Sequence, residues 1–409
     1  MSSRIVVHRS EADEIEKIGG WVLIFGRRKV GKTYLVRNFL HYDTYFFVHA
    51  DRSIRIERGG KEKRLDDFRE MVDMARKDLK NSKTVVIDEF QRLPMDVWEE
   101  IASVHPSGRL ILSGSSMRVV SRIVSRESPL LGLLYPYRLG LIRPRDIMKS
   151  LFRHVDPDEA VELAPYLRDP WTIPLFRSSK DFFQSLVNIV QYAVPALIGE
   201  IFTEEEREMT KTYRSIVSLI GAGYTRYEEV ASILYNRGIV KTPTSASVLP
   251  YIKNLRDMGV LKEIKVYGKK KYRYLIESEP ANLYYYLSSR YDLSREVQYG
   301  EIEPTVKRLK SFAVERFIAD LFAEIYDARV EELKETDREI DIFLTKRNKP
   351  YLVGEVKWGR IKKEDIRNFI QKVDRFGCEK VIFSKFKPRG NIPGDIRILT
   401  PEDLKALVD

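Results

Sequence analysis

The segment GRRKVGKT, Gly26 to Thr33, constrains most strongly what this chain can fold into. It follows the apolar run WVLIF, Trp21 to Phe25, and precedes YLVRNFL, whose apolar spacing is helical. Strand, glycine-bounded loop and helix in that order is the setting a G-x-x-x-x-G-K-[ST] phosphate loop requires. Gly26 and Gly31 let backbone N–H groups curl round an anion, and the helix start adds its dipole. Arg27, Arg28, Lys29, Val30 and Tyr34 complete the expected nucleotide-binding stretch. Lys32 is expected to reach the β- and γ-phosphates of ATP, and the Thr33 hydroxyl to hold Mg²⁺.

The second half of such a site is KTVVIDEFQRLP, Lys83 to Pro94. Thr84 to Ile87 is a β-branched apolar run, which predicts a buried parallel strand. Asp88 at its end is expected on the Mg²⁺ water shell, and Glu89 as the general base that polarises the attacking water. A third run, RLILSGSS (Arg109 to Ser116), predicts a strand with Ser113 or Ser115 at its ligand-facing end. Arg118, Arg122, Arg126 and Arg138 follow, and Arg138 is the preferred arginine finger.

Charge divides the chain into modules. Residues 1–150 carry a net +8, 151–210 a net −6, 211–300 a net +7 and 301–409 a net +2. Basic blocks separated by an acidic one suggest modules with separate partners. A single Cys excludes a disulfide framework and any Cys-rich zinc module, and points to a cytoplasmic setting. No apolar run approaches the ~20 residues of a membrane span, so no membrane partner is expected. Nine Asn and five Gln beside 32% charged residues is the pattern of a thermophile.

The acidic stretch reads as a helical lid broken at Pro157, Pro165, Pro170 and Pro174, with Glu204-Glu205-Glu206 as a helix start capped by Thr203. From Lys211 three short helices precede the alternating strands LKEIKVYGKKKYRYLIE, a winged helix-turn-helix order. Ser245, Ser247, Lys253 and Arg256 fall on the third helix; Lys269, Lys270, Lys271 and Arg273 form the wing. Nine Lys/Arg against two Asp/Glu between Lys241 and Ile276 suit phosphate neutralisation along DNA, duplex or branched. Packing against a neighbouring module is the other reading. Tyr284, Tyr285 and Tyr286 read as packing between modules.

After a loop at Gly300 to Pro304, an amphipathic helix carries Glu315, with Phe312, Phe317, Leu321 and Ile325 on one side. The order is then helix, two strands, helix, strand. Asp341 lies on the first strand, and Glu355 and Lys357 share one face of the next. Two carboxylates there can chelate Mg²⁺ and the ammonium can activate a water against a phosphodiester, the PD-(D/E)xK nuclease pattern. A plain Glu-x-Lys ion pair is the other reading.

GRRKVGKT, VVIDEFQ, LSGSS and YPYRLGLI together resemble the archaeal ATPase family, of the additional-strand P-loop class related to STAND and AAA-type ATPases. Arg9, Glu11 and Glu14 resemble its pair ahead of the first strand. Tyr137-Arg138 stands where the family has Gly-Arg, and Tyr192 to Leu197 keeps only the proline of a Gly-x-Pro lid turn. EIDI followed by GEVKW resembles its recurrent C-terminal domain. By that resemblance Asp341, Glu355 and Lys357 form the metal and catalytic set, with Glu315 as a fourth candidate. The expectation is an α/β multidomain chain: a P-loop ATPase core (1–148), a lid (149–208), a winged helix-turn-helix (209–295) and a nuclease-like domain (296–409). Its function is ATP-dependent DNA processing; the alternative is a nucleotide-controlled DNA-binding switch with a non-cleaving nuclease-fold clamp. An arginine finger from a neighbouring copy would imply a homo-oligomer.

Overall fold

A computed structural model describes residues 5–408 except 116, 124, 206, 294, 296–297, 336–337 and 388–394; of 118, 119, 334, 335, 338 and 339 it describes the backbone alone. The N-terminal half is built on strands β1 Val22–Phe25, β2 Thr44–Val48, β3 Ile54–Arg58, β4 Lys61–Leu65, β5 Thr84–Asp88, β6 Arg109–Gly114 and β7 Tyr135–Arg138. They form one sheet in the order β4-β3-β2-β5-β6-β1-β7, with β2, β5, β6, β1 and β7 mutually parallel. β6 intervenes between β1, which leads into the phosphate loop, and β5, which ends in Asp88. The central strands β1, β5 and β6 are buried on both faces, as a parallel sheet demands, while β4 and β7 at the edges are largely exposed. Leu23, Val85 and Ile87 enter one apolar layer, while Val22, Ile24 and Val86 enter the other. Helices α1 Ser10–Glu16, α2 Lys32–Phe39, α3 Phe68–Lys80, α4 Met95–Ala102 and α5 Met117–Ile123 accompany this sheet.

Next come α6 Pro144–Leu151, α7 Pro157–Leu167 and α8 Ser179–Glu204. Pro157 and Pro170 mark element starts as expected, but Pro165 lies inside α7, and α8 runs through Pro195 without a turn. Contrary to expectation, α8 is long and apolar enough to cross a membrane. Phe183, Leu186, Val190, Val194, Leu197 and Ile201 form a buried stripe at helical spacing, which packs it as a core helix.

α9 Lys211–Gly221, α10 Tyr227–Asn236 and α11 Leu249–Asp257 precede the hairpin of β8 Leu261–Val266 and β9 Tyr272–Ile276, and α12 Glu279–Ser288 follows. Ser245 and Ser247 lie on a short 3-10 turn ahead of α11 rather than on the helix itself. Gly221 is required where α9 meets α12, because a Cβ there would stand 2.2 Å from Tyr285 Cβ. α13 Tyr299–Ile325 begins earlier than expected: the stretch read as a loop at Gly300 to Pro304 forms its first turns. Phe317 and Leu321 are buried, whereas Phe312 is exposed.

The remaining strands are β10 Arg329–Glu332, β11 Lys334–Glu335, β12 Arg338–Glu339, β13 Ile342–Lys346, β14 Lys349–Lys357, β15 Glu379–Ser384 and β16 Ile396–Leu399. Helices α14 Lys363–Val373 and α15 Pro401–Val408 complete the chain. The second sheet runs β16-β15-β14-β13-β10-β8-β9. The hairpin expected as a free wing is therefore its edge, joined through parallel pairing of Glu331 with Lys265 and Glu332 with Val266. One apolar cluster continues from α6–α8 through α9–α12 into α13 and this sheet, across the expected boundaries at 208 and 295.

Candidate functional site

The first site forms where β1, β5 and β6 end together. Gly26 passes so close to the chain after β7 that a Cβ would lie 2.0 Å from the Leu139 carbonyl oxygen. Gly31 caps α2 at φ +91°, the left-handed region that favours glycine. Lys32 is buried, and its Nζ donates to the Gly26 and Arg27 carbonyls at 2.8 and 3.0 Å. Burial lowers its ammonium to about 8, against the raising pull of Glu89 and Asp88. A cavity of about 780 Å³ lies over the loop, with Lys29, Thr33 and Tyr34 on its wall beside Lys32 and Glu89.

Thr33 Oγ1 donates to Asp88 Oδ2 at 2.7 Å, and Tyr45 hydroxyl donates to the same oxygen at 2.8 Å. Burial and the Asp88 charge hold the Tyr45 hydroxyl well above its usual range, so it stays a donor. Glu89 takes a left-handed φ of 58° directly after β5. Gln91 Nε2 donates to Glu89 Oε2 at 2.8 Å, and Arg92 and Arg28 stand 3.3 and 3.6 Å from its oxygens. Burial raises the Glu89 carboxyl, helped by Asp88 and Glu204 and opposed by Arg92 and Arg28. Of the two serines on the third strand, Ser115 faces the site. Ser113 is wholly buried, register-paired with Ile24 and Asp88, and its Oγ meets no partner.

The loop arginines do not point into the cavity together. Arg27 is buried and pairs with Asp169 at 2.6 Å, and Ser278 Oγ donates to the same carboxylate oxygen at 2.6 Å. Arg28 lies between Glu89, Glu200 and Glu204, whose charges raise its guanidinium against the opposing effect of burial. Val30 is held from behind, its carbonyl accepting from Arg9 Nη1 at 2.7 Å, while Arg9 pairs with Glu11. Glu14 meets Arg143 and Tyr137, so that early segment braces the loop and the end of β7. Arg138, the preferred arginine finger, lies at the end of β7. It is exposed, and its Nη2 donates to the Asp257 carbonyl at 3.3 Å, at the C-terminus of α11 where a cation is favoured. The Arg118 side chain lies outside the described residues.

The acidic run is also displaced from expectation. Glu204 is the last residue of α8 rather than the start of a helix, Glu205 follows as its C-cap, and Glu206 lies outside the described residues. Glu204 accepts from Ser115 Oγ at 2.8 Å, Gln91 Nε2 at 3.3 Å and Arg28 Nη1 at 3.1 Å. Glu205 accepts from the Met117 N–H at 2.6 Å. Sequence reasoning missed Gln91, two residues beyond Glu89. In the structure Gln91 packs over Gly114, where a Cβ would stand 2.6 Å from Gln91 Oε1.

A second constellation forms on the other sheet. Arg347 and Asn348 both take positive φ, which turns the chain tightly between β13 and β14. Ile342 pairs with Gly354, so Asp341 and Glu355 stand opposite one another at the far end. Asp341 Oδ2 accepts from the Val356 N–H at 2.9 Å. Burial, then the Glu355 charge, pushes its carboxyl up to about 6. Lys357 Nζ stands 2.8 Å from Glu355, and Lys372 of α14, which the sequence did not single out, stands 3.4 Å from it. These four groups line a cavity of about 660 Å³, together with Glu315 of α13 and Lys262 and Arg273 of the hairpin. No group of three or more metal-ligating side chains occurs among the described residues.

Three of the cations expected to meet DNA also pair with acidic side chains of the same chain. Arg256 pairs with Glu263 and Asp257, Lys271 with Glu228, and Arg273 with Glu332 and the Thr225 hydroxyl. Lys253, Lys269, Lys270 and Lys271 are exposed, and the Lys271–Glu228 pair lies on the surface.

The architecture around the first site is that of a mixed α/β fold with a parallel-rich sheet and a phosphate loop at its strand ends. Residues 19–129 match a family model described as an AAA domain, which spans β1 through α5. Comparison with curated protein sequences gave no match. Among solved structures the chain is similar to the Aeropyrum pernix ORC2 protein in ADPNP–ADP complexes, at 13% identity over 78% of this chain and 96% of that one, with TM-score 0.37. It is similar to the Aeropyrum pernix ORC1 protein in complex with DNA, at 13% identity over 72% and 95%, with TM-score 0.31. A Signal Transduction ATPase with Numerous Domains from Pyrococcus horikoshii, carrying a tetratricopeptide repeat sensor, is 14% identical over 78% of this chain and 49% of that one, with TM-score 0.30.

Proposed function

We propose that this chain binds and hydrolyses ATP and couples that cycle to DNA, as a member of the additional-strand class that includes the archaeal ATPases. The observation that carries the ATPase reading is the 2.7 Å bond between Thr33 and Asp88 below the loop that presents Lys32. A hydroxyl and a carboxylate converging there are hard oxygen donors suited to Mg²⁺. When bound, the ion would neutralise charge on the terminal phosphates. Gly26 to Gly31 supply the backbone cradle, Lys32 a fixed ammonium, and Glu89 the base for the attacking water. Lys32→Ala should abolish ATP binding, whereas Glu89→Gln should bind ATP without turning it over. Normal ATP affinity in Lys32→Ala would overturn this assignment.

The three helices and hairpin of 209–295 serve, in this reading, as a winged helix, with exposed Lys253, Lys269 and Lys270 as its phosphate-binding groups. Their replacement by Ala should weaken duplex binding and reduce its salt dependence by about one counterion for each lysine replaced. Asp341, Glu355 and Lys357 support a Mg²⁺-dependent phosphodiesterase site, because two carboxylates and an ammonium meet at one end of a strand pair. The clamp reading, without cleavage, draws on a different observation: Glu355 is engaged by both Lys357 and Lys372. Incubation of the protein with Mg²⁺ and linear, branched or single-stranded DNA, with Asp341→Ala as the comparison, separates the two. Cleavage that disappears in Asp341→Ala establishes the enzyme; no cleavage with DNA binding retained establishes the clamp.

A further inference from the structure

Glu204 stands in an unfavourable place for a carboxylate. It ends a 26-residue helix, where the macrodipole is negative, and Glu205 follows it. What holds it there is a set of donors from three separate segments. Arg28 comes from the phosphate loop, Gln91 from the turn after Asp88-Glu89, and Ser115 from the end of β6. The Lys32 ammonium feels the Glu204 charge as well. In an ATP-binding reading of this fold, these three segments converge on the terminal phosphate of the nucleotide. The donors therefore form an anion site, and the anion they hold is a side chain of the lid.

We propose that the Glu204 carboxylate occupies the terminal-phosphate subsite, with Arg28, Gln91 and Ser115 as the groups that read a nucleoside triphosphate against a diphosphate. The proposal rests on the ATP-binding reading and adds its discriminating residues. A γ-phosphate entering the site competes with Glu204 for the same donors, and two anions cannot share them without strong repulsion. Glu204 then leaves, and the end of α8 goes with it. A diphosphate stops short of these donors and leaves Glu204 in place. Triphosphate binding is thereby tied to displacement of a helix whose other contacts lie deep in the lid core.

Several features fit this arrangement. Arg28 is oriented by Glu200 and Glu204, one turn apart on α8, at 3.2 and 3.1 Å. Released from them it is still tethered within the loop, in the wall of the cavity that Lys32 and Thr33 also line. A cation besides the one expected of Arg138 is thus available beside the nucleotide from the same chain. Glu205 holds the first N–H of α5 and so fixes the segment after Ser115 to the same helix end.

The test is a comparison of ATP and ADP affinities, by calorimetry with Mg²⁺, in the full chain. Glu204→Gln preserves the shape of the side chain and removes its charge; Glu204→Ala removes the competitor. Both should tighten ATP binding about tenfold relative to ADP, within the usual range of coupling between sites. Ser115→Ala and Arg28→Gln should weaken ATP binding and leave ADP binding within about twofold. An ATP-to-ADP affinity ratio unchanged in both Glu204 variants overturns the proposal while leaving nucleotide binding intact. If the wild-type chain binds neither nucleotide, the ATP-binding reading itself falls, and this one with it. A purely structural role for Glu204 would change both affinities together, which also overturns it.

Discussion

Asp169 is the residue whose neutralisation should show how tightly the phosphate loop is tied to the rest of the molecule. It is wholly buried just before the turn Pro170–Leu175, and one of its oxygens accepts from both Arg27 and Ser278 at 2.6 Å. Three regions of the chain meet there: the loop after β1, the turn between α7 and α8, and the start of α12. Asp169→Asn keeps the shape and removes the charge, leaving the Arg27 guanidinium, itself 8% exposed, buried without its counter-ion. Breaking a buried pair from one side costs about 3–5 kcal/mol, because the remaining charge is left uncompensated. Arg27→Met should cost a similar amount. Replacing both, as Arg27→Met with Asp169→Leu, removes the unpaired charge and should return stability to within about 1 kcal/mol of the wild type. Urea unfolding followed by tryptophan fluorescence suits the measurement, since Trp171 lies two residues away. With Asp169→Leu as the matching single variant, the expected coupling energy in the double-variant cycle is about 5 kcal/mol or more, and the Asn variant should also bind ATP more weakly. Asp169→Asn within about 1 kcal/mol of the wild type, or a double variant as unstable as the two singles summed, would refute the reasoning.

Gly26→Ala should lower the melting temperature and ATP affinity together, because its Cβ would meet the Leu139 oxygen at 2.0 Å while Leu139 N–H is fixed to the Phe25 carbonyl at 2.7 Å. The cost expected of such overpacking is about 1–3 kcal/mol, and Gly140→Ala, where a Cβ meets nothing within 4 Å, is the neutral comparison. With the Lys32 ammonium lowered to about 8, its charge is complete below that value in the free protein and lost as pH rises through it. ATP affinity titrated from about pH 7 to about pH 9.5 should weaken on the alkaline side, and a flat profile would contradict the burial argument. Asp341, raised to about 6, favours the folded state fully below its unfolded value near pH 4 and loses that contribution as pH rises through 6. Asp341→Asn should therefore stabilise the protein by about 2 kcal/mol at neutral pH, in chelator, and much less at about pH 4. Equal effects at the two pH values would contradict it.

Features whose physics is local were legible in the sequence. The run before Gly26, the glycines of the loop and the β-branched strand ending at Asp88 each declare themselves within a few residues. The hairpin that brings Asp341 opposite Glu355 is equally short-range. Where an interaction depends on a distant segment, sequence reasoning failed. The run Glu204-Glu205-Glu206 carries every local mark of a helix start, yet α8 continues through Pro195 and ends there. Its carboxylates are tolerated because Arg28, Gln91 and Ser115, between 89 and 176 residues away in the chain, supply donors. Lys269 to Arg273 look alike as a basic string, and only packing separates Arg273, half-buried against Glu332, from the exposed Lys269, Lys270 and Lys271.

By itself the sequence determined a phosphate loop between strand and helix, an acidic pair after a buried strand, and two carboxylates with a lysine on paired strands. Those follow from backbone sterics and the two-residue and 3.6-residue periods, which need no knowledge of the rest of the chain. The tertiary structure alone decided which charges answer one another. It set Arg27 on Asp169, Arg138 at the end of α11, the hairpin at the edge of the second sheet, and the Glu204 carboxylate of α8 among donors from the phosphate loop, the turn after β5 and the end of β6. Burial leaves a charged group no water to satisfy it, so its partner must come from whatever segment the fold brings near.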